Sequence, residues 1–358
     1  MAVVTVDPAA PDPAAIAAAA SRLRAGELVA FPTETVYGLG AHALDEQAVA
    51  RIYAAKGRPA WNPVIAHVPS IEAARALARD WPRSAESLAR AFWPGPLTLV
   101  VPKARSVPDV ATAGLDAVAV RIPQHPVALA LLRAAGVPVA APSANRFTQV
   151  SPTTAAHVVR SLGDRVPLIL DGGPCAVGIE STVVDCTGDD VIILRPGMLG
   201  RESLEAVLAP LGIILRHAVR TIAHDTPAQA PHAETPRSPG MADRHYAPRA
   251  DVWLFDTHQR DEIARSLHQW QQTRREAGQS ASPVHALLRG GPLVDRDGAL
   301  ATGTRYVPMP SSPVEYARAL YGALHAADDD SVGLVLIEAP PNDAAWDGVR
   351  DRLTRAAR

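Results

Sequence analysis

The sequence predicts an α/β protein. Its first domain is a twisted mixed sheet with helices packed on it, and its second is a smaller α/β domain of Rossmann-like type. Three observations carry this expectation. Short apolar runs alternate with helical stretches along almost the whole chain. Some neighbouring runs are joined by connections too short for a crossover helix, so the sheet is mixed rather than purely parallel. The 358 residues, 47% of them apolar, exceed what one hydrophobic core usually organises.

The elements follow in order. Asp12 caps a helix that Pro13 opens and Gly26 stops. Residues 28–31 (Leu-Val-Ala-Phe) form a short buried strand that ends at Pro32, and a hydroxyl-rich loop follows. Asp45 caps a second helix running to Lys56, with Gly57 as its stop. Residues 64–68, 97–101, 117–121, 137–140, 168–170, 181–184 and 191–194 read as further strands. Helices fall at 84–92 and 127–135, and the run Ser151-Pro-Thr-Thr154 opens another. From 217 to 240 the chain is rich in Pro, Ala, His and Thr without periodicity, which marks a linker. Strands at 251–255, 284–288, 306–309 and 332–337 then alternate with helices at 261–277, from Ser312 onward and at 345–357. The expected division is therefore 1–215, a linker over 216–249 and 250–358. The acidic run Asp328–Asp330 reads as a solvated loop.

Composition narrows the function. A net charge of −2 offers no global basic field for nucleic acid, and aromatic residues are only 4% of the chain. Two cysteines in so long a chain read as reduced thiols. The first residues lack a charged-then-apolar leader, no apolar run reaches ~18–20 residues, and the cytoplasm is the expected compartment. Phosphate-loop, dinucleotide-fingerprint, zinc-protease and nucleophile-elbow signatures are all missing from the sequence.

What remains is a set of loops rich in hydroxyls and cations at strand ends, where open α/β sheets bind ligands. They hold Thr33-Glu-Thr35, Lys56-Gly-Arg58 with Asn62, Arg121, Ser143-Ala-Asn145, Ser151, Gly178-Ile-Glu-Ser-Thr182 and Arg195-Pro-Gly197. Four cations, Lys56, Arg58, Arg121 and Arg195, are enough to hold a triphosphate and a carboxylate. Taken singly, Glu34 reads as a turn residue and His67 as a core histidine. Cys175 reads as a structural thiol.

The ordered set Phe31-Pro-Thr-Glu-Thr-Val-Tyr-Gly-Leu-Gly40, Lys56-Gly-Arg-Pro59, Ala141-Pro-Ser-Ala-Asn145, Ser151-Pro-Thr153, Gly178-Ile-Glu-Ser-Thr182 and Arg195-Pro-Gly197 resembles the YrdC-like threonylcarbamoyl-AMP synthases. The linker residues Ser238-Pro-Gly-Met241 and Arg244-His-Tyr-Ala-Pro248 resemble the long form, which carries an extra C-terminal domain. The resemblance implies a YrdC-like first domain that joins L-threonine, bicarbonate and ATP into threonylcarbamoyl-AMP and pyrophosphate. The product serves threonylcarbamoyladenosine formation at position 37 of tRNAs reading ANN codons. It implies Thr35, His67, Arg121, Ala141 and Ser181 around threonine. It implies Lys56, Arg58, Asn62, Ser143, Asn145, Ser151, Arg195 and Tyr246 around ATP, with Lys56, Arg58 and Arg195 catalytic and the linker closing as a lid. Mg²⁺ would be carried with ATP and no dedicated metal ligands are expected. The implied partners are the downstream threonylcarbamoyl-transfer proteins, with a weak direct tRNA contact left open. The family often has a hydroxyl four residues before the strand arginine; here Ala117 stands there, and backbone or Asp116 is the expected substitute. Loss of Lys56 or Arg195 is expected to lower the rate and leave the fold intact. Two other readings compete: a non-catalytic RNA-binding module, and transfer of a different carbamoyl group as in hydrogenase maturation.

Overall fold

A computed structural model describes residues 1–218, 245–276, 283–293 and 303–358. As far as they are described, they form two compact units. One takes Met1–Phe147, Pro152–Ala176 and Glu180–Met241, the other Thr148–Ser151, Val177–Ile179 and Ala242–Arg358. Of the expected linker, 219–244 lie outside the described residues, including Ser238–Met241 and Arg244.

The first unit is built on eleven strands: β1 (Ala2–Thr5), β2 (Val29–Phe31), β3 (Gly38–His42), β4 (Ile65–His67), β5 (Leu97–Pro102), β6 (Ala117–Arg121), β7 (Val139–Ala140), β8 (Leu168–Asp171), β9 (Thr182–Asp185), β10 (Val191–Arg195) and β11 (Leu215–His217). They lie in one sheet in the order β1-β8-β2-β3-β7-β4-β6-β5-β9-β10-β11. Parallel and antiparallel neighbours are mixed, as the short connections predict.

The helices obey their caps. Asp12 accepts from the N–H of Ala14 and Ala15 ahead of Pro13–Arg24. Asp45 does the same for Gln47 and Ala48 ahead of Glu46–Lys56, and Gly57 ends that helix with φ 61°. The end of this helix matters because it fixes Lys56.

Three strands escape a reading of the sequence. β1 and β11 are edge strands of four and three residues, and β11 carries the sheet into what reads as linker. β3 contains Gly38 and Gly40, which look like turn residues. A Cβ on Gly40 would lie 2.8 Å from the Phe31 ring and 2.9 Å from Val139. The glycine is thus a seat for Phe31 inside a strand, not a break in it.

Alternation divides the sheet into two faces. Ala66, Leu99, Val120 and Val184 point into the large core under the helices. Ile65, Val100, Ala119 and Val183 form a small apolar cluster on the opposite face. The second face is where the polar side chains gather.

The second unit holds a four-stranded parallel sheet of β12 (Asp251–Phe255), β13 (Val284–Leu288), β14 (Thr304–Pro308) and β15 (Leu334–Glu338), in the order β12-β15-β13-β14. Two 17-residue helices, Arg260–Glu276 and Pro313–Asp329, connect them. At the carboxyl end of β15, Glu338 is buried and accepts from the N–H of Arg289 (3.0 Å) and Gly290 (3.4 Å) and from the Arg260 guanidinium (2.8 and 3.1 Å). Burial pushes this carboxyl up, but those donors outweigh it and hold it at about 2. Asp328 and Asp329 end the helix Pro313–Asp329 and Asp330 caps it, so the run is not a loop, although Asp329 and Asp330 are exposed as expected. Asp328 accepts from the Arg249 N–H at 2.7 Å, and Asp330 pairs with Arg305 and with His285. Among the described residues no helix is long and apolar enough to cross a membrane.

Candidate functional site

Pairing senses put four strand ends at one edge of the first sheet. β5 is antiparallel to β6 and parallel to β9, and β9 is antiparallel to β10. The end of β6 (Arg121), the starts of β5 and β9, and the end of β10 (Arg195) therefore lie together. His67 and Arg121 are register partners across β4 and β6. His67, Arg121, Thr98 and Ser181 each stand two residues from a member of the small cluster, so they project from that same face. The site thus lies on a sheet face beside the strand ends, not only beyond them as the sequence suggests.

One group of side chains surrounds Arg121. Thr33 organises the loop after β2: its hydroxyl donates to the Val36 carbonyl at 2.6 Å and accepts from the N–H of Thr35 and Val36. This aims Thr35 and Glu34 at Arg121. The guanidinium donates through Nη1 to the Thr35 hydroxyl (3.0 Å), through Nη2 to Glu34 (2.5 Å) and through Nε to the Gly95 carbonyl (3.2 Å). Its other two N–H, one on each terminal nitrogen, have no partner among the described residues. The second Glu34 oxygen accepts from the Gln124 N–H at 3.0 Å. Glu34 is therefore no mere turn residue; its partner lies 87 positions downstream, where no local pattern reveals it.

His67 sits beside this pair, with Nδ1 3.2 Å from the Ile65 carbonyl and its ring edge-on to Phe31. Burial first, then the Arg121 charge, hold it at about 3. It is neutral at physiological pH. From pH 6.5 down to about 3 the unfolded chain takes up a proton that the folded chain refuses. Stability is therefore level above pH 6.5 and falls as pH drops below it, by about 1.4 kcal/mol per unit. Urea unfolding at pH 7 and pH 5 should show the wild type losing ~2 kcal/mol more than His67→Gln; equal slopes would remove the assignment.

A second group is gathered by Lys56. Its Nζ donates to the carbonyls of Ser143 and Asn145, and its own carbonyl accepts from the Phe147 N–H at 2.9 Å. Bridging of Gly38 to Ser143 and bonds from Leu39 N–H to Pro142 and Ala144 N–H to Tyr37 lay this loop along β3. Ala141, buried, hydrogen-bonds to the Ile65 carbonyl. Burial and then the nearby Arg58 charge push the Lys56 ammonium well below its ordinary value. Arg58 donates to the Asn62 side chain (2.6 Å) and to the carbonyls of Asn62 and Pro63. The buried Asn62 Nδ2 has no partner among the described residues, an amide donor available to a ligand.

Third, a bulge in β10 between Ile193 and Arg195 re-aims Arg195, which donates to the Ser181 carbonyl (3.0 and 3.2 Å) and hydroxyl (3.3 Å). Ser181 shares a 2.8 Å hydrogen bond with Thr98, a fully buried threonine that its strand setting hides from sequence reasoning. Gly197 has to be glycine: a Cβ there would stand 2.5 Å from the Thr182 nitrogen.

Ser151 and Tyr246 fall in the other unit. There Tyr246 is buried with φ 61°, stacked on Tyr321 and under the Arg352 guanidinium. Asp116, the expected stand-in at the Ala117 position, is paired with Arg79 at 3.0 Å, and Ala117 itself lies on the site face. Both cysteines are free and buried, and burial pushes their thiols up. That suits a packed thiol rather than a nucleophile.

Comparison with known proteins places this geometry. Residues 21–197 match the Sua5, YciO and YrdC family model, described as telomere recombination, and residues 199–358 match the C-terminal domain of threonylcarbamoyl-AMP synthase. The chain is 41% identical to the threonylcarbamoyl-AMP synthase of Pyrococcus abyssi, over 95% of this chain and 93% of that one. It is 39% identical to that of Bacillus subtilis, over 96% and 92%. The crystal structure of P. abyssi Sua5 complexed with L-threonine superposes with a TM-score of 0.85 at 40% identity, covering 100% of this chain and 98% of that one. The chain belongs to the threonylcarbamoyl-AMP synthase family, in the long form with a second α/β domain.

Proposed function

We propose that this chain is an L-threonylcarbamoyladenylate synthase, a nucleotidyltransferase that condenses L-threonine, bicarbonate and ATP. The products are threonylcarbamoyl-AMP and pyrophosphate, and the first serves threonylcarbamoyladenosine formation at position 37 of tRNAs reading ANN codons. The observation that supports this most is the buried Arg121 with two N–H to spare, on the same sheet face as the Ser181 that Arg195 grips.

Arg121 takes the threonine carboxylate. Thr35, the neutral His67, Ala141 and Ser181 shape the rest of that pocket. Lys56, Arg58, Asn62, Ser143, Asn145 and Arg195 receive ATP; Ser151 and Tyr246 are assigned to the nucleotide on family resemblance alone. Mg²⁺ enters with the nucleotide. The threonine amine adds to bicarbonate with loss of water, and the carbamate oxygen then attacks the α-phosphate. The bond to the bridging oxygen breaks, and pyrophosphate leaves with the electron pair. The protein's part is to align the reactants and to balance charge, with Arg195 bonded to Ser181 of the threonine pocket. No side-chain nucleophile is needed, consistent with the protonated, buried Cys175.

The product passes to threonylcarbamoyl-transfer proteins. We place the enzyme in the cytoplasm, where two buried reduced thiols are at home. The test is direct: supply ATP, Mg²⁺ and bicarbonate, and measure pyrophosphate with and without L-threonine. Release is expected only with threonine, and threonine-independent or absent release rejects the assignment.

A further inference from the structure

Among the described residues Glu34 is the one buried carboxylate hydrogen-bonded to Arg121, and the roles assigned above do not use it. Its exposure is 5% and that of Arg121 is 3%. It joins two loops: one oxygen meets Nη2 of Arg121 and the other meets the Gln124 N–H. The consequences are geometric and electrostatic.

Of five guanidinium N–H groups, three are held by Glu34, Thr35 and Gly95. The two that remain are the number a bidentate carboxylate takes. Without Glu34 a third N–H would be released and Arg121 would lose its fixed orientation.

The charge balance is equally specific. Arg121 and Glu34 together are neutral. Burial holds His67 and His125 below and the Cys175 thiol above their ordinary values, so none of the three adds charge at neutral pH; Arg195, bonded to Ser181, is assigned above to ATP, whose phosphates balance it. A ligand with no net charge can enter this buried setting without leaving an unbalanced charge. A plain carboxylic acid brings a net negative charge that nothing in the pair offsets.

We propose that Glu34 is a positioning residue that makes the Arg121 pocket select a zwitterionic amino acid over a simple carboxylic acid. This rests on the reading that Arg121 holds the substrate carboxylate.

The test uses the full chain and three ligands: L-threonine, 3-hydroxybutyrate (threonine without its amine) and threoninamide (threonine without its carboxylate). KM for threonine and inhibition constants for the other two are read from pyrophosphate release. The wild type should bind threonine far more tightly than 3-hydroxybutyrate. Glu34→Gln should raise KM for threonine about tenfold and narrow the threonine to 3-hydroxybutyrate ratio by about tenfold, with KM for ATP unmoved. Glu34→Asp keeps the charge on a shorter arm, so its KM should rise while the ratio stays near wild type. An unchanged ratio in Glu34→Gln overturns the proposal, as does equal loss of the ratio in both variants. A wild type that binds 3-hydroxybutyrate as well as threonine overturns it without any variant. Threoninamide competing as well as threonine in the wild type instead removes the Arg121 reading itself, and the proposal with it.

Discussion

Arg121→Met is expected to lower kcat/KM for threonine by about two to three orders of magnitude and to destabilise the fold by ~3–5 kcal/mol. The two losses have separate causes. Activity falls because the guanidinium proposed to take the threonine carboxylate is gone. Stability falls because Glu34, at 5% exposure, is left as a buried charge without its partner. The double variant Arg121→Met with Glu34→Gln distinguishes them. Removing both charges should restore most of the stability, since a buried ion pair is about as stable as an apolar pair of similar size. It should restore none of the activity. Urea unfolding and steady-state kinetics on the two variants check this, and recovery of threonine turnover in the double variant would refute the role given to Arg121.

Lys56→Met should also act on two levels. The ammonium is 2% exposed and holds the Ser143 and Asn145 carbonyls together. Methionine fills similar space but leaves both carbonyls without their donor, at about 1–3 kcal/mol each. The expected result is a clear fall in melting temperature with a rise in KM for ATP and a ~100-fold drop in kcat. Family pattern alone suggests a rate defect on an intact fold. The geometry changes that expectation, because this lysine braces a loop in addition to the ATP role proposed for it. A variant with wild-type melting and wild-type KM for ATP would show that neither role is real.

How much of this was legible in advance depended on distance along the chain. Ala117–Arg121 was readable to the residue from its alternating valines and Val284–Leu288 from its short apolar run, both local signals. The helix caps at Asp12 and Asp45 were equally local. β3 was hidden because Gly38 and Gly40 look like a turn until Phe31 and Val139 are seen packed against Gly40. The cationic residues of the site were legible as types in loops. Their grouping was not, since Glu34 meets Arg121 and Thr98 meets Ser181 only across the sheet, 87 and 83 residues apart. The same holds for Asp330, at a helix end, whose partners His285 and Arg305 come from β13 and β14.

The seat of Glu338 in the second sheet has a consequence of its own. Backbone N–H groups and a guanidinium at the carboxyl ends of parallel strands are what doubly wound domains commonly offer to a phosphate. Here the occupant is covalently part of the chain, so it competes at the effective concentration of a tethered ligand. A free anion arriving from solution would have to displace that carboxylate from its three partners. The second sheet thus takes the charge that stabilises its strand-end donors from within the chain.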